Sequence, residues 1–425
     1  MKKIFTMAIA MGAVLAVSCN KRVLPDVTTV DISDKCADVE KLVGGVVDNV
    51  ILPTYQGLSD EAENLYAKIV AFNSAKTQAN LDAILPAYKA TRALWERSEA
   101  FLYGAAGDSG FGIDGHIDDW PFDFVDWPET MADPTVQAAL AANDLDDVFV
   151  VDDFASIVGF HAIEFVCFAD GKARELSTLD PFTVSYTKEG RTMETTVDLA
   201  TIGNYLVAIA ADLRNYCYEL EVSWTANPDA ARKAAVEKAG LSYRHPSLGV
   251  DYGTIFKNPG DKLKSVYDNW GSVLKDIIEG AIDICTEVGT EKIGYPYFGY
   301  PASDEDVESL IEKRIDYIES PYSWNSISDF YNNILSIKNV YYGGEKSAVS
   351  LHSFLSANAP KVDEAIVSGI EKALSEIGEG GEDNLSKGGM KYPFAKNSQD
   401  ASVKEAIDAV TGLQNALEAA SAMFD

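Results

Sequence analysis

Phe154-Ala155-Ser156-Ile157-Val158-Gly159-Phe160-His161-Ala162-Ile163-Glu164-Phe165-Val166-Cys167-Phe168 is the stretch on which the reading of this chain turns. Apolar residues at 154, 157, 158, 165 and 168 recur at helical spacing. The opposite positions, Phe160, Ile163 and Cys167, are apolar too. A helix that is apolar all round is buried, so the run predicts a buried helix over 154–168. Ser156, His161 and Glu164 interrupt it, and the last two stand three apart on one face. An ionised carboxylate in such a place is costly unless it is paired or binds a metal. On the helix alone, a closed structural pair and a binding site are both open.

Working outward, helical patterns cover Glu40–Phe72, with Pro53 marking a kink or break, and Ala79–Tyr103, ended by Gly104. A further helix spans Ile202–Trp224. Between Gly104 and Asp144 periodicity is lost, in a long segment rich in Gly, Asp, Trp and Pro of the kind that often carries function. Phe182–Thr187 and Thr192–Val197 alternate like strands about Lys188-Glu189-Gly190-Arg191, a hairpin signature. Breakers at Asn227-Pro228, His245-Pro246 and Asn258-Pro259-Gly260 suggest a junction. Helices are then expected over Lys262–Val288, Ser303–Ile318, from Ser326 to a stop at Tyr342-Gly343-Gly344, near Lys346–Ser356, over Lys361–Ile377 and over Ser402–Met423. Ser303 with Asp306 and Ser326 with Asp329 are spaced as capping boxes. The expectation is an all-α protein of two helical-bundle domains, 36–225 and 226–425, with one β-hairpin insertion. The likeness of the halves suggests duplication, without a residue-level repeat.

The 425 residues are 47% hydrophobic, enough for two full cores. A net charge of −31 argues against nucleic acid as a partner, because phosphate binding needs a basic surface. Lys2 and Lys3 precede a short apolar run, Phe5–Val17, and then Leu15-Ala16-Val17-Ser18-Cys19. This reads as an export signal over 1–19 with a bacterial lipobox. Cys19 would be lipidated and residues 20–35 would form a tether. The expected location is the bacterial cell envelope, periplasmic or at the cell surface, with the membrane as partner through the anchor. Cys36, Cys167, Cys217 and Cys285 form no metal motif, although an oxidising compartment permits one disulfide.

Four histidines are too few for many metal designs, and His161 lacks the zincin pattern, with Ala162 and Phe165 where Glu and the second His would stand. No Gly-x-Ser-x-Gly elbow is present. Arg92, Trp95 and Glu99 share one helical face; Arg92 with Glu96 reads as an ordinary surface pair, whereas Trp95 and Leu102 on the same stripe turn the face partly inward. The loop Ile117-Asp118-Asp119-Trp120-Pro121-Phe122-Asp123 joins carboxylates to a large aromatic. Such oxygen donors suit hard cations, ferric iron included, although acidic residues also cap turns.

Together these motifs resemble the imelysin-like family. Gly159-Phe160-His161-Ala162-Ile163-Glu164 matches its Gly-x-His-x-x-Glu signature. Arg92…Trp95…Glu99-Ala100-Phe101…Gly104 resembles its earlier helix, and Ile117-Asp118-Asp119-Trp120-Pro121 its Asp-x-Trp-Pro loop. Glu319-Ser320-Pro321-Tyr322-Ser323-Trp324 resembles its Glu-Ser-x-Tyr-Ser segment, with Trp324 where His is frequent. The resemblance spans roughly residues 40 to 420, and four ordered motifs make chance improbable. It implies an all-helical protein of two bundle-like domains with a site between them. The family was described through an insulin-cleaving membrane protease and is linked to iron-regulated uptake in the envelope.

The leading expectation is therefore an envelope lipoprotein that takes iron, another divalent or trivalent cation, or a small chelate at the domain interface, working with other iron-uptake proteins. His161 and Glu164 would be ligands or orient the site. Arg92, Trp95, Glu99, Asp118, Trp120, Glu319, Ser320, Tyr322 and Ser323 would line it. No catalytic residue is assigned. The alternative is a metallopeptidase using the His-x-x-Glu motif, for which the ligand set looks incomplete.

Overall fold

The structure is a computed structural model, which describes Val30, Ile32 and residues 35–107, 109–122, 125–142, 154–188, 190–299, 316–345 and 347–424. Cys19, the export signal and most of the helix expected over Ser303–Ile318 lie outside the described residues. No helix among the described residues is long and apolar enough to cross a membrane.

The fold is all-α, with two small antiparallel strand pairs among the described residues. Helix α1 (Cys36–Val46) passes through a π-helical turn, Val47–Ile51, into α2 (Leu52–Ser74). Pro53 falls in the first turn of α2, where its missing N–H costs little, so it does not break the helix. The helix expected over Ala79–Tyr103 is divided into Gln78–Asp82, α3 (Ile84–Glu96) and a 3-10 turn, Glu99–Phe101. The aperiodic segment after Gly104 contains short helices at Asp114–Ile117, Asp126–Ala132 and Pro134–Ala142.

The run over 154–168 is likewise split. A 3-10 turn covers Phe154–Ile157, Val158 is extended, and α4 spans Gly159–Cys167. Every residue of α4 is buried, as its composition requires. Strands β1 (Phe168–Ala169) and β2 (Lys172–Ala173) follow, and β3 (Phe182–Lys188) pairs with β4 (Arg191–Val197) in the expected hairpin. Next come α5 (Leu199–Ser223), α6 (Trp270–Thr286), α7 (Ser326–Tyr342), α8 (Pro360–Ile377) and α9 (Ala401–Ser421). The α6 helix starts later than Lys262 because Asn269 caps it at Ser272 N.

α2 packs against α3 and α5, and α6, α7, α8 and α9 pack among themselves. The two groups meet where α7 lies on α3, α1 on α6, and the Glu99–Phe101 turn on α6. One continuous apolar cluster runs through both. Cys36, Cys167, Cys217 and Cys285 are free thiols; Cys36 is exposed and the other three are buried.

Glu219 on α5 is an acid that the core does not welcome. It is 2% exposed, and Oε2 has no hydrogen-bond partner among the described residues. Burial pushes its pKa up to about 8, against one backbone hydrogen bond from Ser242 that pulls it down. A carboxyl whose folded pKa lies above its unfolded value binds more protons when folded, so stability falls as pH rises through the window between the two. Glu219→Gln is expected to flatten that fall between about pH 5 and 8 and to stabilise the protein at pH 8 by roughly 1–3 kcal/mol. Urea melts of wild type and variant across that range check it; parallel curves would contradict it.

Candidate metal centre

The start of α4 is set by a close approach of two backbones. Gly159 sits at φ +80°, and a Cβ there would stand 2.5 Å from the Ile117 carbonyl oxygen. Only glycine combines that conformation with that proximity. The approach carries Asp118, the next residue along the loop, to the His161 side of the helix. His161 Nε2 lies 3.2 Å from Asp118 Oδ1, and Nδ1 lies 3.5 Å from Glu164 Oε2. Nε2 has no well-directed hydrogen bond among the described residues.

Glu164 is held from behind. Its Oε1 accepts from Tyr322 N at 3.1 Å, Ser323 N at 2.8 Å and Ser323 Oγ at 2.7 Å. This saturates one oxygen and leaves the other towards the imidazole, so Glu164 is placed to orient His161 rather than to share its open side. Ser320 and Trp324 adopt left-handed φ of +50°, rare for side-chain-bearing residues, and this bends the segment into position. Trp324 points elsewhere: its ring lies 2.8 Å from where a Cβ on Gly171 would stand, with the Lys396 ammonium 4.7 Å from its centroid.

Arg92 is the hub. It is a buried guanidinium, not half of a surface pair: its Nη2 reaches Glu96 Oε1 and Glu319 Oε1, each at 2.6 Å, and its Nη1 bonds Asp118. Asp329 Oδ2 lies 3.8 Å from Nε. Trp95 Nε1 donates to Asp118 Oδ2 at 2.6 Å. Glu99 meets Lys292, whose ammonium also lies 3.7 Å from Glu96, 3.2 Å from Glu319 and 3.2 Å from the more exposed Glu287. Ser320 Oγ and Asn325 Nδ2 each donate to Asp329 at 2.6 Å. The supposed Ser326–Asp329 capping box is therefore absent. Ser326 Oγ donates to the Glu319 carbonyl instead, and Asp329 faces the cluster.

Every residue expected at the site thus falls in or beside one network. Glu96, Lys292 and Asp329 join it without having been singled out. Asp329 looked like a cap and Glu96 like a surface partner, while no periodicity marks Lys292, which enters on a π-helical turn, Glu287–Lys292.

The electrostatics are lopsided. Glu96, Glu99, Asp118, Glu164, Glu319 and Asp329 are six carboxylates with nearly closed-off side chains. Among the described residues, Arg92, Lys292 and a protonated His161 supply three positive charges. Burial and neighbouring acids push Glu319 up to about 7 and raise Glu99 and Asp329 well above the usual range, despite Lys292 and Arg92. Burial also opposes ionisation of Asp118, but Arg92 and His161 outweigh it and hold its pKa low. For His161, burial pulls the pKa down, and the adjacent carboxylates Asp118 and Glu164 reverse it, to about 9. Excess buried negative charge must be relieved by protons or by a cation.

Asp118, His161 and Glu319 each offer a donor atom within 4.8 Å of the others, and so do Glu96, Glu99 and Asp118. Glu319 Oε2 and His161 Nε2 are buried atoms without hydrogen-bond partners among the described residues. A crevice of about 10 Å³, bounded by Trp120, Phe122, Ile318 and Tyr322, reaches His161 and Glu164. That is room for about one water or ion.

Four similarities to known proteins place the chain. Iron-regulated protein A of Synechococcus elongatus is 27% identical over 312 residues, a match covering 73% of this chain and 66% of the relative's length. A protein from Parabacteroides distasonis assigned as an iron-regulated protein A precursor shares the fold, with a TM-score of 0.64 at 24% identity over 92% of this chain and 96% of its own. An imelysin-like protein from Psychrobacter arcticus 273-4 superposes with a TM-score of 0.54 at 12% identity over 92% of this chain and 95% of its own. The family profile described as Peptidase M75: Imelysin matches residues 51–419, nearly the whole folded chain, and the chain belongs to the imelysin family.

Proposed function

We propose that this protein binds a hard metal cation, iron foremost, at the seam of its two helical halves, and serves iron uptake in the bacterial cell envelope from a lipid anchor on Cys19. The observation that carries the reading is six buried carboxylates gathered around Arg92 and Lys292, beside a histidine whose Nε2 makes no well-directed hydrogen bond among the described residues. Asp118, His161 and Glu319 would hold the ion, and an oxygen-rich set with one imidazole suits iron. Glu164 would fix the imidazole, as carboxylates behind metal-bound histidines do. The iron-regulated relatives support the assignment to iron.

Calorimetric titration of metal-free protein with Fe(II), Fe(III) and Zn(II) tests this. Wild type is expected to bind, with iron preferred. His161→Ala and Asp118→Asn are expected to lose more than about a hundredfold in affinity, since even partners behind the ligands are worth 10–100-fold. Glu164→Gln is expected to lose about tenfold, as an orienting group would. Absence of binding by wild type, or equal binding by His161→Ala, would overturn the reading.

A further inference from the structure

We infer that Lys292 stands in for a second cation on the Glu96–Glu99 side of a two-cation chamber, and thereby limits the protein to one metal ion. The inference rests on the proposed ion site and adds to it. The two donor groups, Asp118–His161–Glu319 and Glu96–Glu99–Asp118, share Asp118. Adjacent cation positions joined by a common carboxylate are the layout of two-metal sites. Against the Glu96–Glu99 side of the second position stands an ammonium group, while Asp118 there is bonded by Arg92. Lys292 is 2% exposed, and its Nζ lies 3.3 Å from both oxygens of Glu99 and 3.7 Å from Glu96 Oε2. It also touches Glu319 Oε1 at 3.2 Å, so it neighbours the first position as well.

Several features mark this as a filled cation site rather than an incidental ion pair. A compact ammonium with three donors is the side-chain group closest to a bare ion in size and charge. The backbone places it there through the π-helical turn Glu287–Lys292, a rare form that is frequent at functional sites. Glu319 Oε2, 1% exposed, remains without a hydrogen-bond partner among the described residues, so the chamber retains donor capacity. One tethered positive charge discourages a second mobile one by direct repulsion at short range in a weakly screened interior.

The test counts ions. Metal-free wild type, Lys292→Met and Lys292→Arg are dialysed against Mn(II), which oxygen-rich sites accept, and bound metal is measured by elemental analysis with Mn(II) electron paramagnetic resonance alongside. Wild type and Lys292→Arg are expected to bind one ion per chain, with an uncoupled spectrum. Lys292→Met is expected to bind two, with an exchange-coupled spectrum. The metal-free methionine variant is also expected to melt lower than wild type and to gain more in melting temperature from Mn(II), so a marginal fold still gives a reading. One ion in both wild type and Lys292→Met, with equal Mn(II)-induced stabilisation, would overturn this inference and leave the ion site standing. No ion in either would overturn both.

Discussion

Arg92→Met is expected to destabilise the protein by about 3–5 kcal/mol, the usual consequence of removing one member of a buried charge network. Methionine fills much of the same volume and stacks as well on Phe160, over which the guanidinium lies at 5.2 Å, so the loss reports on charge and not on packing. What it removes is the group that contacts Glu96, Asp118 and Glu319 at once, with Asp329 nearby. Those acids then face one another across a dry interior and must take up protons. Arg92→Lys is expected to recover little, because a single ammonium cannot span the carboxylates that a planar fork reaches. Chemical denaturation checks both variants. A loss below about 1 kcal/mol for Arg92→Met would show that the acids are neutralised without it.

Gly159→Ala is the second large effect, about 2–4 kcal/mol from left-handed strain together with overpacking. The added methyl would enter the space of the Ile117 carbonyl oxygen, backbone that cannot rotate aside. Relief requires the Ile117–Asp118 loop to back away from α4, which separates Asp118 from His161. Gly159→Ala is therefore expected to weaken metal binding as well as lower the melting temperature, although glycine touches no ion. An unchanged melting temperature with full iron affinity would show that this contact is loose.

These two residues also show how far the sequence could be read. The burial of α4 and the inward face of His161 and Glu164 were legible because an all-apolar run leaves no other place for its polar residues. The start of the helix was not legible, since spacing says nothing of the positive φ that places the break at Val158. Trp95 and Asp118 were readable as neighbours of the site through their motifs, and they share a hydrogen bond. Asp329 was misread because Ser-x-x-Asp before an apolar stripe has the spacing of a helix cap whether or not the acid turns towards the core. In sequence Glu96 reads as a surface partner, because an i,i+4 pair looks the same whether exposed or buried. Lys292 lies far along the chain from Glu99, and only the folded arrangement brings them within 3.3 Å.

The donors come from widely separated parts of the chain: Asp118 and His161 from the first half, Glu319 from the second. Neither half owns all three of these donors, so the proposed ion site comes into being only when the two have docked in register. Ion loading would then double as a certificate of correct assembly, and a chain whose halves misdocked would be unable to hold the ion at all.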